Sequence, residues 1–486
     1  MSDTRLHRDP WTLATVVWTA VALVYVTLIP VGNNVILYPL LLSFAVLAAV
    51  NIVRRRIRPD RALILPAAIW AVFLLLGIVT AIARDAESWE RTLVFFLVWP
   101  AVFSVVVVGF DRRVVRTIFL VGAYVSVLIG VLLFFQALAQ GGILPFRRFP
   151  AWLAGPLRMA GDSDSGMVSL TAAPMPPLLW WGGIWIAAMF CDPRDQYLPP
   201  MWLRMLAGSL VITGAFASWR RGIVIVLVVA PILAVIALVA LKVRNVKRQN
   251  GPRLSVWSFV RLAIVAAFVV VLTLVAQPHL FSMFTSAVRS SSTVVEGPAP
   301  SPSPPAQNIN DPGPLTVNQD NTLSDEIRKN ESHSLLSPRS PADWIVGRGF
   351  GATIDRGAFE RQIRPWQTEL QYHAIFYWTG ILGVMLVIAV AVTALLAVRK
   401  AFRVEDGLRG SLYVASVGAL CVLMANATNP YLQAPGHMWP VFLPLMITSA
   451  ILVDERRRTT RQVDGEVVGD TAMAVASNPA PTNDRH

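Results

Sequence analysis

The stretch GIVIVLVVAPILAVIALVAL, residues 222–241, decides the fold of this chain. Its 20 residues include no Asp, Glu, Lys or Arg. An α-helix rises about 1.5 Å per residue, so a segment of this length crosses the ~30 Å hydrocarbon core of a bilayer. The stretch therefore predicts a transmembrane helix.

Eleven further apolar blocks lie on either side of it. The predicted helices cover residues 11–30, 34–53, 62–83, 91–110, 117–139, 168–191, 202–219, 222–241, 257–276, 373–398, 410–427 and 436–453. The chain of 486 residues is 55% hydrophobic and only 15% charged, whereas about a quarter of the residues in a soluble domain are charged. We expect an all-α integral membrane protein of about 12 transmembrane helices, with one large extracytoplasmic loop that carries short helices.

The net charge of +13 is distributed in a way that predicts the orientation. Basic clusters fall in alternate connections: Arg5 with Arg8, 54–61, 112–116, 242–253, 399–409 and 456–458. Short loops rich in Lys and Arg stay in the cytoplasm. The charge therefore indicates a multi-pass cytoplasmic-membrane protein with both termini inside. Its expected partners include membrane lipids and no nucleic acid.

The alternation divides the chain into five parts. We predict a cytoplasmic N-terminus at 1–10, nine transmembrane helices within 11–276, a large extracytoplasmic loop at 277–372, three helices within 373–453 and a disordered cytoplasmic tail at 454–486. Residues 290–321 are rich in Pro, Ser, Asn and Thr. This composition buries too little apolar surface to fold alone, so we predict a flexible insert there.

Two arginines break the charge pattern. Arg220 and Arg221 lie in SWRRG, residues 218–222, between two predicted helices on the outer face. They either contact the phosphates of outer lipids or form a phosphate-binding site, since a guanidinium offers two parallel donors. Adjacent helical positions point about 100° apart, so we expect one of the two to face the site. Arg221, next to Gly222, is the preferred candidate.

The outer loop contributes further candidates. Arg328 lies on a short predicted helix, and Arg348 lies within WIVGRGFG, residues 344–351. The glycines in that motif indicate either a tight turn or a close approach of backbone to a ligand. Tyr377 in the next helix and Asn429 in the last outer loop are secondary candidates to line the same cavity.

A carboxylate and an imidazole stand four residues apart at the end of this loop. On one helix, Glu369 and His373 would share a face. The carboxylate would then orient the imidazole and hold its pKa near neutrality, as a general base requires. Alternatively, His373 caps a helix or packs at the membrane interface. Asp162 and Asp164 resemble a metal-binding pair but suit an ordinary turn equally, so we expect no metal site and no cofactor.

Four motifs in a fixed order resemble the bacterial O-antigen ligase and polysaccharide polymerase superfamily, over roughly residues 60–450. They are the Ser-x-x-Arg-Gly turn at 218–222, Arg328 before Leu335 and Leu336, Gly-x-Gly-Phe-Gly at 347–351, and His373 shortly before Gly-Ile-Leu-Gly at 380–383. The segment NPYL at 429–432 is also similar. The chain departs from the family in having an extra residue in the arginine turn and Ala374 where an asparagine is usual.

The resemblance implies an inverting glycosyltransferase of the bacterial inner membrane. Such an enzyme moves or polymerises a glycan from undecaprenyl pyrophosphate onto a glycan or lipid acceptor outside the membrane. By resemblance, Arg220 or Arg221 and Arg328 hold the pyrophosphate, His373 activates the acceptor hydroxyl, and no metal is required. The alternatives are a secondary transporter or flippase, a metal-dependent polyprenyl-phosphate glycosyltransferase, and a non-enzymatic scaffold.

Overall fold

The computed structural model is a bundle of apolar helices. It describes residues 10–30, 33–55, 57–86, 88–145, 149–162, 169–218, 220–241, 252–276, 328–337, 340–354, 368 and 370–476. The predicted flexible insert at 290–321 lies outside these ranges. Helices and closed barrels are the structures that satisfy every backbone polar group inside a bilayer, which explains why apolar blocks of this length fold as helices.

The elements follow one another with short connections. The helices are α1 (Pro10–Leu28), α2 (Asn34–Arg55), α3 (Arg61–Ala83), α4 (Trp89–Leu93), α5 (Trp99–Gly109), α6 (Arg112–Gln140), α7 (Ala151–Ala154), α8 (Met175–Ala188), α9 (Met201–Ala217), α10 (Arg221–Leu241), α11 (Val256–Ala276), α12 (described over 328–336), α13 (Pro341–Val346), α14 (Gln371–Arg403), α15 (Arg409–Ala425) and α16 (Pro435–Ala476). A π-helical turn at Val94–Val98 joins α4 to α5. Strands β1 (Ala160–Asp162) and β2 (Ser169–Thr171) pair antiparallel, with Gly161 opposite Leu170.

Nine helices in the described part of the chain are long and apolar enough to cross a membrane. Helices α8, α9 and α15 are shorter, with 14, 17 and 17 residues. At about 1.5 Å per residue they span roughly 21–26 Å, less than the hydrocarbon core. The all-α membrane architecture is thus confirmed, and the count of twelve spans stays a prediction.

Ion pairs gather the predicted cytoplasmic connections at one end of the bundle. Asp60, which caps α3, bonds to Lys400 at 2.9 Å and to Arg456 at 2.8 Å. Arg55 pairs with Asp111 at 2.6 Å. The alternation of helices inferred from charge therefore matches how the connections are grouped. Which end faces the cytoplasm stays a prediction.

Helix α8 forms the centre of the core, and every one of its residues is buried. Trp180, Trp181 and Trp185 are each at most 1% exposed. The helix begins at Met175, and residues 169–171 form a strand, although we predicted a helix from 168. Proline suits the first helical turn but not the interior, so the prolines at 174, 176 and 177 place the start of the helix there.

Helix α16 extends farther than the sequence suggests. It continues to Ala476, whereas we predicted disorder from residue 454. The segment immediately after 453 contains Asp454, Glu455 and Arg458, and opposite charges four apart support an exposed helix even without apolar residues. The prediction of disorder is therefore wrong for 454–476, and residues 477–486 lie outside the described ranges.

Candidate functional site

The arginine turn, residues 218–222, is held by the buried Ser218. Its hydroxyl donates to the Ala215 carbonyl at 2.6 Å and accepts the Arg220 N–H at 3.3 Å. Helix α10 begins immediately afterwards at Arg221. A hydroxyl that satisfies backbone groups at such a junction fixes the path of the chain between two helices. The turn thereby presents Arg220 at the surface, where its side chain is exposed.

The arginine turn packs against the last loop of the same end. A Cβ on Gly222 would lie 3.1 Å from Oγ1 of Thr428 and 3.5 Å from Nδ2 of Asn429. Asn429 itself donates to Thr428 at 3.1 Å. The structure therefore places the secondary candidate Asn429 directly beside the arginine turn, as part of the loop that supports it.

Two distant arginines converge on Tyr431. This tyrosine is 6% exposed and lies three residues beyond Thr428. Burial raises the pKa of the Tyr431 phenol, while the positive charges of Arg220 and Arg328 act to lower it. Charges influence a group in this way only at short range. Both guanidinium groups therefore lie within electrostatic reach of one hydroxyl.

Arg328 reaches this position on α12. The helix packs through Leu335, which is 1% exposed, in a cluster that also contains Leu370 and Ala374. Leu370 and Ala374 flank the start of α14. The helix that carries Arg328 and the helix turn that carries His373 therefore share one hydrophobic cluster.

His373 lies in the first turn of α14 and is half-buried. Its Nδ1 has no hydrogen-bond partner among the described residues. The preceding Tyr372 donates its hydroxyl to the Leu423 carbonyl at 2.6 Å, near the end of α15. This bond places the start of α14 at the same end of the bundle as the loop that contains Tyr431.

The helical argument for Glu369 is wrong. Helix α14 begins at Gln371, with Leu370 as its N-cap in an extended conformation of φ −94° and ψ 76°. Residue 369 therefore precedes the helix, and a spacing of four does not place it on the face of His373. The side chains of Glu369 and Arg221 both lie outside the described part of the chain.

Arg348 and Tyr377 belong to a different cluster, the glycine clasp, formed by residues 340–354. Arg348 pairs with Asp343 at 3.3 Å and donates to the Tyr377 hydroxyl at 3.2 Å. Asp343 also accepts from Arg84 at 2.7 Å. These charges compensate one another, so we do not carry Arg348 and Tyr377 into the proposed site.

The glycines of the clasp contact backbone. Gly347, Gly349 and Gly351 have φ of 75°, 87° and 75°, and a Cβ on each would collide with backbone at Trp378–Thr379, at Thr80–Ala81 and at Ser88–Trp89 respectively. The N–H of Gly349 donates to the Trp378 carbonyl at 2.8 Å. Of the two uses inferred from sequence, the structure shows tight packing between α3 and α14.

Tyr431 is the residue that sequence reasoning undervalued. It stood in the NPYL motif, but no pattern in the sequence linked it to Arg220 or Arg328. Among the described residues, no group of three or more His, Cys, Asp or Glu is placed to hold a metal ion. The side chains of Asp162 and Asp164 fall outside the part that is described.

The chain matches no protein-family model and no curated protein sequence. The motifs quoted above therefore remain a resemblance, and function has to be argued from the residues.

Proposed function

We propose that this protein is a membrane glycosyltransferase that moves or polymerises a glycan from an undecaprenyl-pyrophosphate donor onto an acceptor hydroxyl. The observation that carries the proposal is the approach of Arg220 and Arg328 to the Tyr431 hydroxyl. Two guanidinium groups at one point suit a diphosphate, because each can donate two parallel hydrogen bonds to phosphate oxygens.

The reaction needs a stabilised leaving group and a base. Attack by the acceptor oxygen breaks the bond between the anomeric carbon and the terminal phosphate oxygen, and the carrier leaves as a pyrophosphate. Arg220 and Arg328 stabilise the negative charge that develops on that oxygen. His373 takes the proton of the acceptor hydroxyl. Its Nδ1, which lacks a partner among the described residues, is consistent with this role.

An apolar cleft gives the lipid tail a place near the arginines. It is lined by residues of α1, α2, α5, α6 and α16, including Leu41, Phe103, Trp439 and Phe442. Trp439 connects the cleft to the arginines through ring contacts: its ring lies 6.0 Å from Trp180, which lies 6.1 Å from His437, which lies 5.5 Å from Tyr431. A lipid-linked donor has the same succession of apolar tail and anionic head.

The test is substitution of the charged residues in cells that lack the native gene. Arg220→Ala, Arg328→Ala and His373→Ala should each reduce glycan transfer at least ~100-fold, because each removes a group that acts on the transition state. Protein level and unfolding temperature should stay close to wild type. Arg221→Ala tests the arginine preferred from sequence in the same way.

Lys329→Ala is the matched control. Lys329 is exposed and neighbours Arg328 on the same helix, but adjacent helical residues point about 100° apart. This variant should transfer glycan normally. Arg220→Lys should fail, because an ammonium cannot replace a bidentate guanidinium. Wild-type product from the Arg220, Arg328 and His373 variants together would refute the mechanism.

The same assay separates a ligase from a polymerase. Long lipid-linked chains that accumulate in a deletion strain would identify a ligase. Single lipid-linked repeat units would identify a polymerase. Normal surface glycan in that strain would contradict both.

A further inference from the structure

Next to Tyr431, four side chains hold nitrogen atoms without acceptors. His437 is 6% exposed and Trp180 is 1% exposed. Within the described part of the chain, Nε2 of His437, Nε1 of Trp180, Nε1 of Trp439 and Nε2 of Gln433 have no hydrogen-bond partner. The ring distances of 5.5–6.1 Å given above join His437, Trp180 and Trp439 to Tyr431. These four residues form the donor cluster.

The rest of the core shows that such groups are normally satisfied. The indole of Trp185, one helical turn from Trp181, donates to Ser126 at 2.9 Å. The buried Tyr413 hydroxyl donates to the Ala234 carbonyl at 2.9 Å. Folded proteins leave few buried polar groups unpaired, because each loses its hydrogen bonds to water without replacement. Several unpaired nitrogens in one place therefore indicate a ligand that brings acceptors.

The chemistry of the donor cluster identifies the kind of ligand. Indole and amide nitrogens donate and do not accept, and His437 donates from Nε2 when it carries its proton there. The ligand must therefore be rich in oxygen acceptors. Preorganised neutral N–H donors in a dry site stabilise an oxyanion well, since they need no reorganisation when it binds.

The position of the donor cluster identifies the part of the ligand. On one side stands Tyr431, within reach of Arg220 and Arg328. On the other side, Trp439 lines the apolar cleft. The cluster therefore lies between a cationic pair and an apolar cavity. An acceptor that joins an anionic head to a hydrocarbon tail fits this place.

We propose that the donor cluster binds the lipid-proximal phosphate of the carrier, while Arg220 and Arg328 bind the phosphate that carries the sugar. This inference rests on the proposed function and assigns the orientation of its donor. The tail occupies the cleft that Trp439 lines, the two phosphates follow in order, and the sugar points away from the bundle. The donor-cluster residues act in binding and take no part in proton transfer.

The test measures Kd in lipid nanodiscs for three probes: undecaprenyl monophosphate, undecaprenyl pyrophosphate and undecaprenol. The double variant Trp180→Phe, Trp439→Phe keeps two aromatic rings and removes two N–H donors. It should lose affinity for both phosphorylated probes by about tenfold, the effect of one or two hydrogen bonds. Its affinity for undecaprenol should not change. Arg220→Ala should weaken pyrophosphate binding and leave monophosphate binding unchanged.

Trp185→Phe is the control, because its indole N–H already has a partner in Ser126. All three affinities should match wild type. The inference is refuted if the double variant binds both phosphorylated probes normally, or if it loses undecaprenol equally, which would assign the tryptophans to the tail. The proposed function is judged separately, by whether Arg220→Ala and His373→Ala still transfer glycan.

Discussion

The glycine clasp and the arginine turn lie at the same end of the bundle and use their polar groups in opposite ways. In the clasp, Asp343 holds both Arg84 and Arg348. At the arginine turn, Arg220 forms no ion pair within the described ranges, and the neighbouring donor cluster lacks acceptors. Compensated charges stabilise a fold, whereas uncompensated ones are kept at a cost that function explains.

The largest effect that can break this comparison is expected at Gly349. Gly349→Ala places a Cβ against the backbone of Ala81, at a φ of 87° that side chains rarely adopt. Backbone cannot move aside as a side chain does, so the free energy of unfolding should fall by about 3 kcal/mol or more. Thermal unfolding in detergent and the yield of folded protein measure it.

Gly142→Ala is the control for backbone strain alone. Gly142 has a similar φ of 74°, but a Cβ added there would meet nothing within 4 Å among its described surroundings. Its cost should stay near the ~1–2 kcal/mol of a left-handed residue. Equal losses at Gly142 and Gly349 would show that the clasp does not depend on close packing.

The next effect concerns the carboxylate of the clasp. Asp343→Asn leaves Arg84 and Arg348 without their charge partner and should cost about 2 kcal/mol. The value is below that of a fully buried pair because the Arg84 side chain is 37% exposed and screened by water. Asp85→Asn, an exposed carboxylate at the same end, should change stability little.

The same variant gives a dependence on pH. Burial alone would raise the pKa of Asp343, but the Ser340 bond and the charges of Arg348 and Arg84 hold it below its usual range. A lowered folded pKa adds stability that is complete above the unfolded value of about 3.9 and is lost as pH falls through the folded value. The gap between wild type and Asp343→Asn should therefore be constant above that value and narrow below it. A gap that widens in acid would contradict this.

The smallest effect is a gain in stability. Gln371 is fully buried, and neither amide atom has a partner in the described chain. Gln371→Leu removes an unpaired polar group of similar size, so the substrate-free protein should gain about 1 kcal/mol. Thr213→Val is the contrast, because the Thr213 hydroxyl donates to Ser209 at 2.8 Å and its loss should destabilise. Destabilisation by Gln371→Leu would show that the amide is satisfied after all.

The sequence predicted the helices better than the site. Apolar length and the placement of Arg and Lys suffice for helices and their grouping, because the bilayer imposes one local solution on the backbone. The motifs named Arg220, Arg328 and His373 as candidates. They did not separate Arg348, whose motif reads as a ligand loop but whose charge is paired with Asp343. A short motif records residue types and carries no information about which partner a side chain meets.

By itself, the sequence determined that this chain is a bundle of membrane-length helices, since hydrophobic length and charge act within single segments. The tertiary structure alone decided that Arg220 and Arg328 meet at Tyr431, and that the glycines at 347, 349 and 351 contact backbone. Those relations join residues far apart in the chain. They depend on how helices pack, which is set by the shapes of many side chains together.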